Sequence, residues 1–206
     1  TRDELPQSAA GRTIMTTEPK FIPNEAVEIT IKQGLNVKVR MVDCVGYQVA
    51  SAVGYEDGGE PRMVRTPWFD EAIPFSEAAE IGTRKVIVDH STIGIAVFTD
   101  GSISDIPRED YLDAEERVIY ELKESNKPFI VVLNSVHPQR EDTIELAHAL
   151  EEQYDVPVLP LNAAQLTEED ILHILEEALY EFPVTEVNVD LPKWVEELDA
   201  DYWLRS

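Results

Sequence analysis

Val39-Arg40-Met41-Val42-Asp43-Cys44-Val45-Gly46 ends a run in which apolar and polar residues alternate, and the alternation stops at the aspartate. Val37, Val39 and Met41 stand against Lys38 and Arg40, the period of two expected of a half-buried strand. Upstream, Val27, Ile29 and Ile31 alternate with Glu28, Thr30 and Lys32, and Gln33-Gly34 separates the two runs. Two alternating runs joined by so short a turn predict a hairpin, hence an antiparallel pair. Residues 1–24, rich in Thr, Ser, Ala and Pro without a period, read as a loop.

Beyond Cys44 the chain is irregular as far as Pro74, with Gly54, Gly58 and Gly59 and prolines at 61, 67 and 74. A connection of that length predicts a functional or mobile segment. Residues 75–90 read as a helix, and three units then repeat one plan. Ile93 to Thr99 is an apolar run ending at Asp100-Gly101, followed by a helix with Tyr111, Ala114, Val118, Ile119 and Leu122 on one face. Phe129 to Leu133 is followed by a helix carrying Ile144, Leu146, Ala147 and Leu150. Val156 to Leu161 precedes a helix that opens with Thr167 and Asp170, spaced as an N-terminal capping pair. Unbroken apolar strands that return through helices imply a parallel sheet covered on both faces. The expected fold class is α/β, a mostly parallel sheet with one antiparallel edge hairpin and helices on both faces.

With 206 residues and 43% apolar content, the chain has the size of one domain, or one domain plus a short appendage. Its 41 acidic against 17 basic residues give a formal charge of −24, which repels nucleic acid and anionic lipid unless the cations cluster. They are scattered, so no direct nucleic-acid role is expected. The single cysteine, Cys44, cannot form an internal disulfide and suits a reducing compartment. No apolar run approaches the about 20 residues that span a bilayer, and Thr1-Arg2-Asp3-Glu4 does not open a signal peptide. These features predict a cytoplasmic protein with no transmembrane segment.

Ligands on parallel α/β sheets bind beyond the carboxyl ends of the strands, where Asp43–Gly46, Asp100, Asn134–His137 and Asn162–Ala164 fall. D-x-x-G by itself is a short pattern that often marks only a turn. Here it ends the second strand of a hairpin upstream of a parallel α/β series, the arrangement of GTPase-like P-loop nucleotidases. In those proteins the aspartate holds magnesium and the glycine senses the terminal phosphate. Asp43 and Gly46 are the candidates for these roles. Thr16 and Thr17, in the loop before the hairpin, stand where a threonine reaches magnesium and the γ-phosphate. The phosphate-cradling pattern G-x-x-x-x-G-K-[ST] occurs nowhere in the 206 residues.

Guanine-binding relatives carry N-K-x-D after the next-to-last parallel strand, and this chain reads Asn134-Ser135-Val136-His137 there. An imidazole cannot accept two hydrogen bonds from guanine as a carboxylate can, so guanine preference should be lost. ATP, or a degenerate site, is the expectation. Asn134, Ser135, His137, Asn162 and Ala163 are the candidate nucleotide-binding residues, although Asn134 read locally is equally a turn residue.

Leu5–Gly11, Thr13-Ile14-Met15-Thr16-Thr17-Glu18-Pro19-Lys20-Phe21, Val42–Tyr47, Phe75 with Glu77–Val86, and Ala178–Val184 with Glu186–Val189 closely resemble the stage IV sporulation protein A family of spore-forming bacteria. The resemblance runs through essentially the whole chain. It implies an ATPase of GTPase-like fold that uses ATP and Mg2+ and polymerises irreversibly into the basement layer of the spore coat. Such a layer would lie on the mother-cell side of the outer forespore membrane. The family's sensor threonines fall on Thr16 and Thr17, and its Walker B aspartate on Asp43. Implied partners are further copies of the chain, a small amphipathic membrane-bound peptide and other coat proteins, the last two mainly through regions outside this chain. The resemblance divides the chain into an ATPase domain at 1–183 and an extension or connection at 184–206. It also implies a strand and P-loop ahead of Thr1 and further domains after Ser206, so the 206 residues alone are expected to be inactive.

A competing expectation is a non-hydrolysing scaffold that keeps the nucleotide fold as a self-association module. Trp68, Phe69, Trp194 and Trp203 are candidate contact aromatics, and a Trp near a domain end more often packs on its own core. The acidic positions Glu115, Glu116, Glu121, Glu151 and Glu152 read as solvated helix faces. His90, His137, His148 and His173 lack metal-ligand spacing, and neither a G-x-S-x-G elbow nor a C-x-x-C pair is present.

Overall fold

The structure is a computed structural model that describes residues 20–32, 35–66 and 69–182. Strand β1 (Lys20–Lys32) pairs antiparallel with β2 (Leu35–Asp43), as the alternation predicts. β1 begins earlier than expected, at Lys20 instead of near Val27. The register shifts between Ile22 and Val27, so β1 carries extra residues opposite Val39–Met41. Such a bulge redirects side chains locally. Val42 is accordingly half-buried and Met41 is 59% exposed, reversing the inward place expected of Met41.

Among the described residues between Asp43 and the first helix, the strands are two residues long. β3 (Glu56–Asp57) pairs with β4 (Glu60–Pro61) around Gly58 and Gly59, both at positive φ, and β5 (Met63–Val64) pairs with β6 (Ile73–Pro74). The segment is anchored. Tyr55, Phe75 and Ala79 form a small core, with the Tyr55 and Phe75 rings edge to face at 5.5 Å and the Arg62 guanidinium 4.6 Å above the Phe75 ring. Burial pushes the Tyr55 hydroxyl up to about 12.

Helix α1 (Phe75–Lys85) runs into a π-type turn at Val86–His90. The Lys127 ammonium closes that turn, donating to the carbonyls of Ile87, Val88 and Ser91 at 2.8, 2.6 and 2.7 Å. These acceptors are the ones a helix end leaves without intrahelical partners. Three strand and helix units follow: β7 (Gly94–Thr99) with α2 (Leu112–Glu124), β8 (Phe129–Asn134) with α3 (Glu141–Tyr154), and β9 (Val158–Leu161) with α4 (Glu168–Tyr180). The strands pair in parallel in the order β7-β8-β9, with Ile95 opposite Ile130 and Val132 opposite Leu159.

Alternation along β8 divides the core. Val131 and Leu133, with Ala96 and Phe98 of β7, pack against Ile119, Leu122, Ala147, Leu150 and Tyr154 of α2 and α3. Ile130 and Val132 face the other way, against Ile174 and Ala178 of α4. A central strand buried on both faces is why its sequence reads as unbroken apolar. α4 starts on the expected capping box, in which Asp170 N–H donates to Thr167 Oγ1 at 3.2 Å and Thr167 N–H donates to the Asp170 carboxylate at 2.8 Å.

The hairpin differs from the expected edge of one sheet, because among the described residues β1 and β2 pair only with each other. Among the described residues β7 is an edge of the parallel sheet, and its Ile95 and Val97, on the α4 side, are 41% and 62% exposed. No described helix is long and apolar enough to cross a membrane.

Candidate functional site

Asp43 is the last residue of β2, and among the described residues its exposed carboxylate makes no hydrogen bond or ion pair. The chain then turns through Cys44 and Val45 to Gly46, whose φ of +83° is a conformation that L side chains rarely adopt. Thr83 of α1 holds this turn. Gly46 N–H donates to Thr83 Oγ1 at 3.0 Å, and the same hydroxyl donates back to the Gly46 carbonyl at 3.3 Å. Burial raises the Cys44 thiol above its ordinary value, with the Thr83 hydroxyl acting against it. The thiol is half-buried, and burial disfavours the thiolate, the reactive form.

A chain of contacts leads from the turn to α1 and α2. The Tyr47 hydroxyl donates to Glu121 of α2, and the Arg117 guanidinium lies 4.7 Å above the Tyr47 ring. Burial, then Glu121, push the Tyr47 phenol far above its usual range. Arg117 also makes a two-pronged bond to Glu80 of α1, at 2.7 and 2.9 Å. Ser51 donates to the Asp110 carboxylate, and Ala50 N–H to the Asp110 carbonyl at 3.2 Å.

The ends of β8 and β9 form a second cluster. Asn134 Oδ1 accepts Ala163 N–H at 2.9 Å, and Asn162 Nδ2 donates to the Val136 carbonyl at 3.4 Å, so the two loops are fastened together. Ser135 is fully buried, its hydroxyl accepting His137 N–H at 2.9 Å, while the His137 side chain is exposed. Asp100, at the end of β7, accepts from Ser102 N–H at 2.9 Å and from the Thr143 hydroxyl at 3.2 Å. Burial works to raise the Asp100 carboxyl, but the Ser102 and Ser135 hydroxyls, the Ser102 amide and the Thr143 hydroxyl together hold it below its ordinary value. Asp100, His137 and Thr143 line a polar hollow of about 310 Å³ with Gly101, Ser102, Arg140 and Asp142.

The structure thus joins Asn134, Ser135, His137, Asn162 and Ala163 in one cluster and sets Asp43 and Gly46 in another. Thr16, Thr17, Trp68, Trp194 and Trp203 lie outside the described residues, as does the 184–206 extension. Of the five acidic positions expected on solvated helix faces, one is buried, one is half-buried, and a third, though partly solvated, is held by the backbone. Glu115 is 4% exposed and lies 2.6 Å from Arg108 Nη2, Glu121 binds Tyr47, and Glu151 accepts Val158 N–H at 3.1 Å. Thr83, Glu80 and Arg117 escaped the sequence reading. The signal for Thr83 was its place four residues after Ala79 on the stripe that buries Phe75, where a hydroxyl needs a partner. His148 and His173 pair with Glu151 at 3.1 Å and Glu177 at 3.6 Å, each within its own helix.

An antiparallel hairpin ending in an aspartate, a glycine turn, and a parallel α/β series with its loops at the strand carboxyl ends define the class: a P-loop-nucleotidase-like α/β protein with a partial sheet. The family model described as stage IV sporulation protein A, ATPase domain, matches residues 1–183, and the chain belongs to that family. It is 60% identical over 205 residues to stage IV sporulation protein A of Bacillus anthracis and, equally, of Bacillus subtilis (strain 168). Against the protein of the same name from Clostridioides difficile (strain 630) it is 58% identical over 206 residues. Each match covers 100% of this chain and 42% of the relative, so the chain spans about two fifths of those proteins.

Proposed function

We propose that the intact protein hydrolyses ATP with Mg2+, and that hydrolysis drives its assembly into a static polymer, the basement layer of the spore coat. The polymer would lie on the mother-cell face of the outer forespore membrane. The observation that carries the reading is the exposed Asp43 carboxylate at the end of β2, unpartnered among the described residues and three residues before the positive-φ Gly46. Mg2+ keeps most of its waters and takes few protein ligands, so one exposed carboxylate with Thr16 and Thr17 is a donor set that suits it. When bound, the ion neutralises charge on the terminal phosphates.

This chain's own residues do the rest in the proposal. Asp43 would hold the metal, and Gly46 would offer its N–H to the γ-phosphate. Asn134 and Ala163 form the ledge under the base, and His137 in place of an acidic residue disfavours guanine. Among the described residues the edge of β7 is open and its Ile95 and Val97 are exposed, which suits a further strand carrying the phosphate-binding loop and its helix. The membrane-bound peptide and the other coat proteins would engage regions mainly outside this chain.

Sedimentation of the full-length protein with and without ATP tests the reading. ATP should move the wild type into the pellet, and a Thr16→Ala, Thr17→Ala double variant should stay in the supernatant. Equal pelleting of both without nucleotide would favour a passive scaffold and sink nucleotide-driven assembly.

A further inference from the structure

The Gly46 N–H that the nucleotide reading assigns to a phosphate is already engaged. Its acceptor is the Thr83 hydroxyl at 3.0 Å, which also reaches the Gly46 carbonyl at 3.3 Å. One amide N–H makes one strong hydrogen bond at a time, so phosphate and Thr83 compete for it. Thr83 cannot simply swing aside. It is 3% exposed and sits on the stripe of α1 that carries Phe75 and Ala79. Gly46 can move more easily, because a residue without Cβ passes between positive and negative φ at little cost, and nothing lies within 4 Å of where its Cβ would be.

The next residue makes that movement consequential. Tyr47 is 7% exposed, bonded through its hydroxyl to Glu121 and covered by the Arg117 guanidinium. Arg117 is bound to Glu80, three residues before Thr83 on the same helix. Rotation of the Gly46 peptide therefore releases α1 at Thr83 and pulls on the Tyr47, Arg117 and Glu80 strap that ties α1 to α2. We propose that Thr83 is a latch on Gly46 that competes with a terminal phosphate for the Gly46 N–H, and that Tyr47, Arg117 and Glu80 transmit its opening to α1 and α2. The proposal rests on the nucleotide reading above and adds to it a competitor within the fold. Thr83 is a positioning residue, since it acts on the phosphate only through Gly46.

A closed latch weakens binding of a nucleotide with a γ-phosphate and leaves ADP untouched, because only the former needs the N–H. The test measures the affinities of a non-hydrolysable ATP analogue and of ADP for the full-length protein with Mg2+, in the wild type, Thr83→Val and Thr83→Ser. Valine keeps the shape and deletes the hydroxyl, whereas serine keeps the hydroxyl. Thr83→Val should favour the analogue over ADP by roughly threefold to tenfold more than the wild type does, the scale of one net hydrogen bond, and Thr83→Ser should keep the wild-type ratio. An unchanged ratio in Thr83→Val, or one shifted toward ADP, overturns the latch. Failure of the wild type to bind either nucleotide overturns the nucleotide reading itself, and the latch with it. Hydrogen exchange in the wild type needs no variant. The analogue, and not ADP, should alter exchange in peptides covering residues 44–48 and 79–85, and no difference between the two nucleotides there also overturns the proposal.

Discussion

Replacing Gly46 with alanine separates backbone conformation from packing at the turn after β2. A Cβ at this position meets no atom within 4 Å, so crowding contributes nothing. What remains is the φ of +83°, and an L-residue pays about 1–2 kcal/mol to hold such a left-handed conformation. Flipping the peptide to negative φ does not avoid the cost, because both Gly46 contacts to Thr83 are then lost, at about 0.5–1.5 kcal/mol net for each. The flip therefore costs about 1–3 kcal/mol and is no cheaper than the strain, so the turn opens by about 1–2 kcal/mol, a factor of roughly 5–30 in its open population. The assay is native-state hydrogen exchange by mass spectrometry on the full-length protein. Peptides covering residues 44–48 should exchange faster by about that factor, while peptides covering β8 should not change, since opening is local. Unchanged exchange at 44–48, after correction for intrinsic rates, would refute the assignment of Gly46 as a strained turn held by Thr83. Equal acceleration in β8 would refute its local character.

Gly94→Ala should act through crowding alone, because its Cβ would lie 2.7 Å from Leu122 Cδ2 and 2.9 Å from Phe129 Cβ. Overpacking of this kind costs about 1–3 kcal/mol, and a lower denaturation midpoint of this domain with unchanged secondary structure is the expected result. Arg108→Ala leaves the buried Glu115 carboxylate without its cation, a loss of about 3–5 kcal/mol. Burial already raises the Glu115 carboxyl against the pull of Arg108, and removing the arginine raises it further. A carboxyl with its folded value above the unfolded one penalises folding above the folded value and is relieved as pH falls through it. The deficit of Arg108→Ala relative to the wild type, read from denaturation midpoints, should therefore shrink with acidification. His137→Asp restores the carboxylate that guanine readers carry and should raise the GTP to ATP affinity ratio roughly tenfold, on the scale of a charge-assisted hydrogen bond; an unchanged ratio would remove residue 137 from the base site.

The strands and helices were legible where a local pattern decides the outcome. Phe129–Asn134 is an apolar run because helices cover both of its faces, and Thr167 with Asp170 caps α4 through a pair three residues apart. What the sequence did not carry are pairings between distant residues. Nothing local separates Glu115, buried on Arg108, from Glu116, which is exposed, since both fit an acidic helix surface. Thr83 meets Gly46 across 37 positions, and Arg117 meets Glu80 across the same number. The break between the hairpin and the parallel sheet is likewise invisible to periodicity, which reports which faces are buried and not which edges pair. Met41 was misplaced by a bulge in the opposite strand, where no residue of β2 itself signals the change. Of the residues proposed for the site, Asp43 and Gly46 stood out through the D-x-x-G that ends the hairpin, and Asn134 through its place at the carboxyl end of a parallel strand.

The most direct test is magnesium-dependent hydrolysis of ATP and GTP by the full-length protein, measured beside its Asp43→Asn variant. The expected result is turnover of ATP in preference to GTP, dependent on magnesium and lost in Asp43→Asn while the variant remains folded. Wild-type turnover in Asp43→Asn, or hydrolysis indifferent to magnesium, would contradict it.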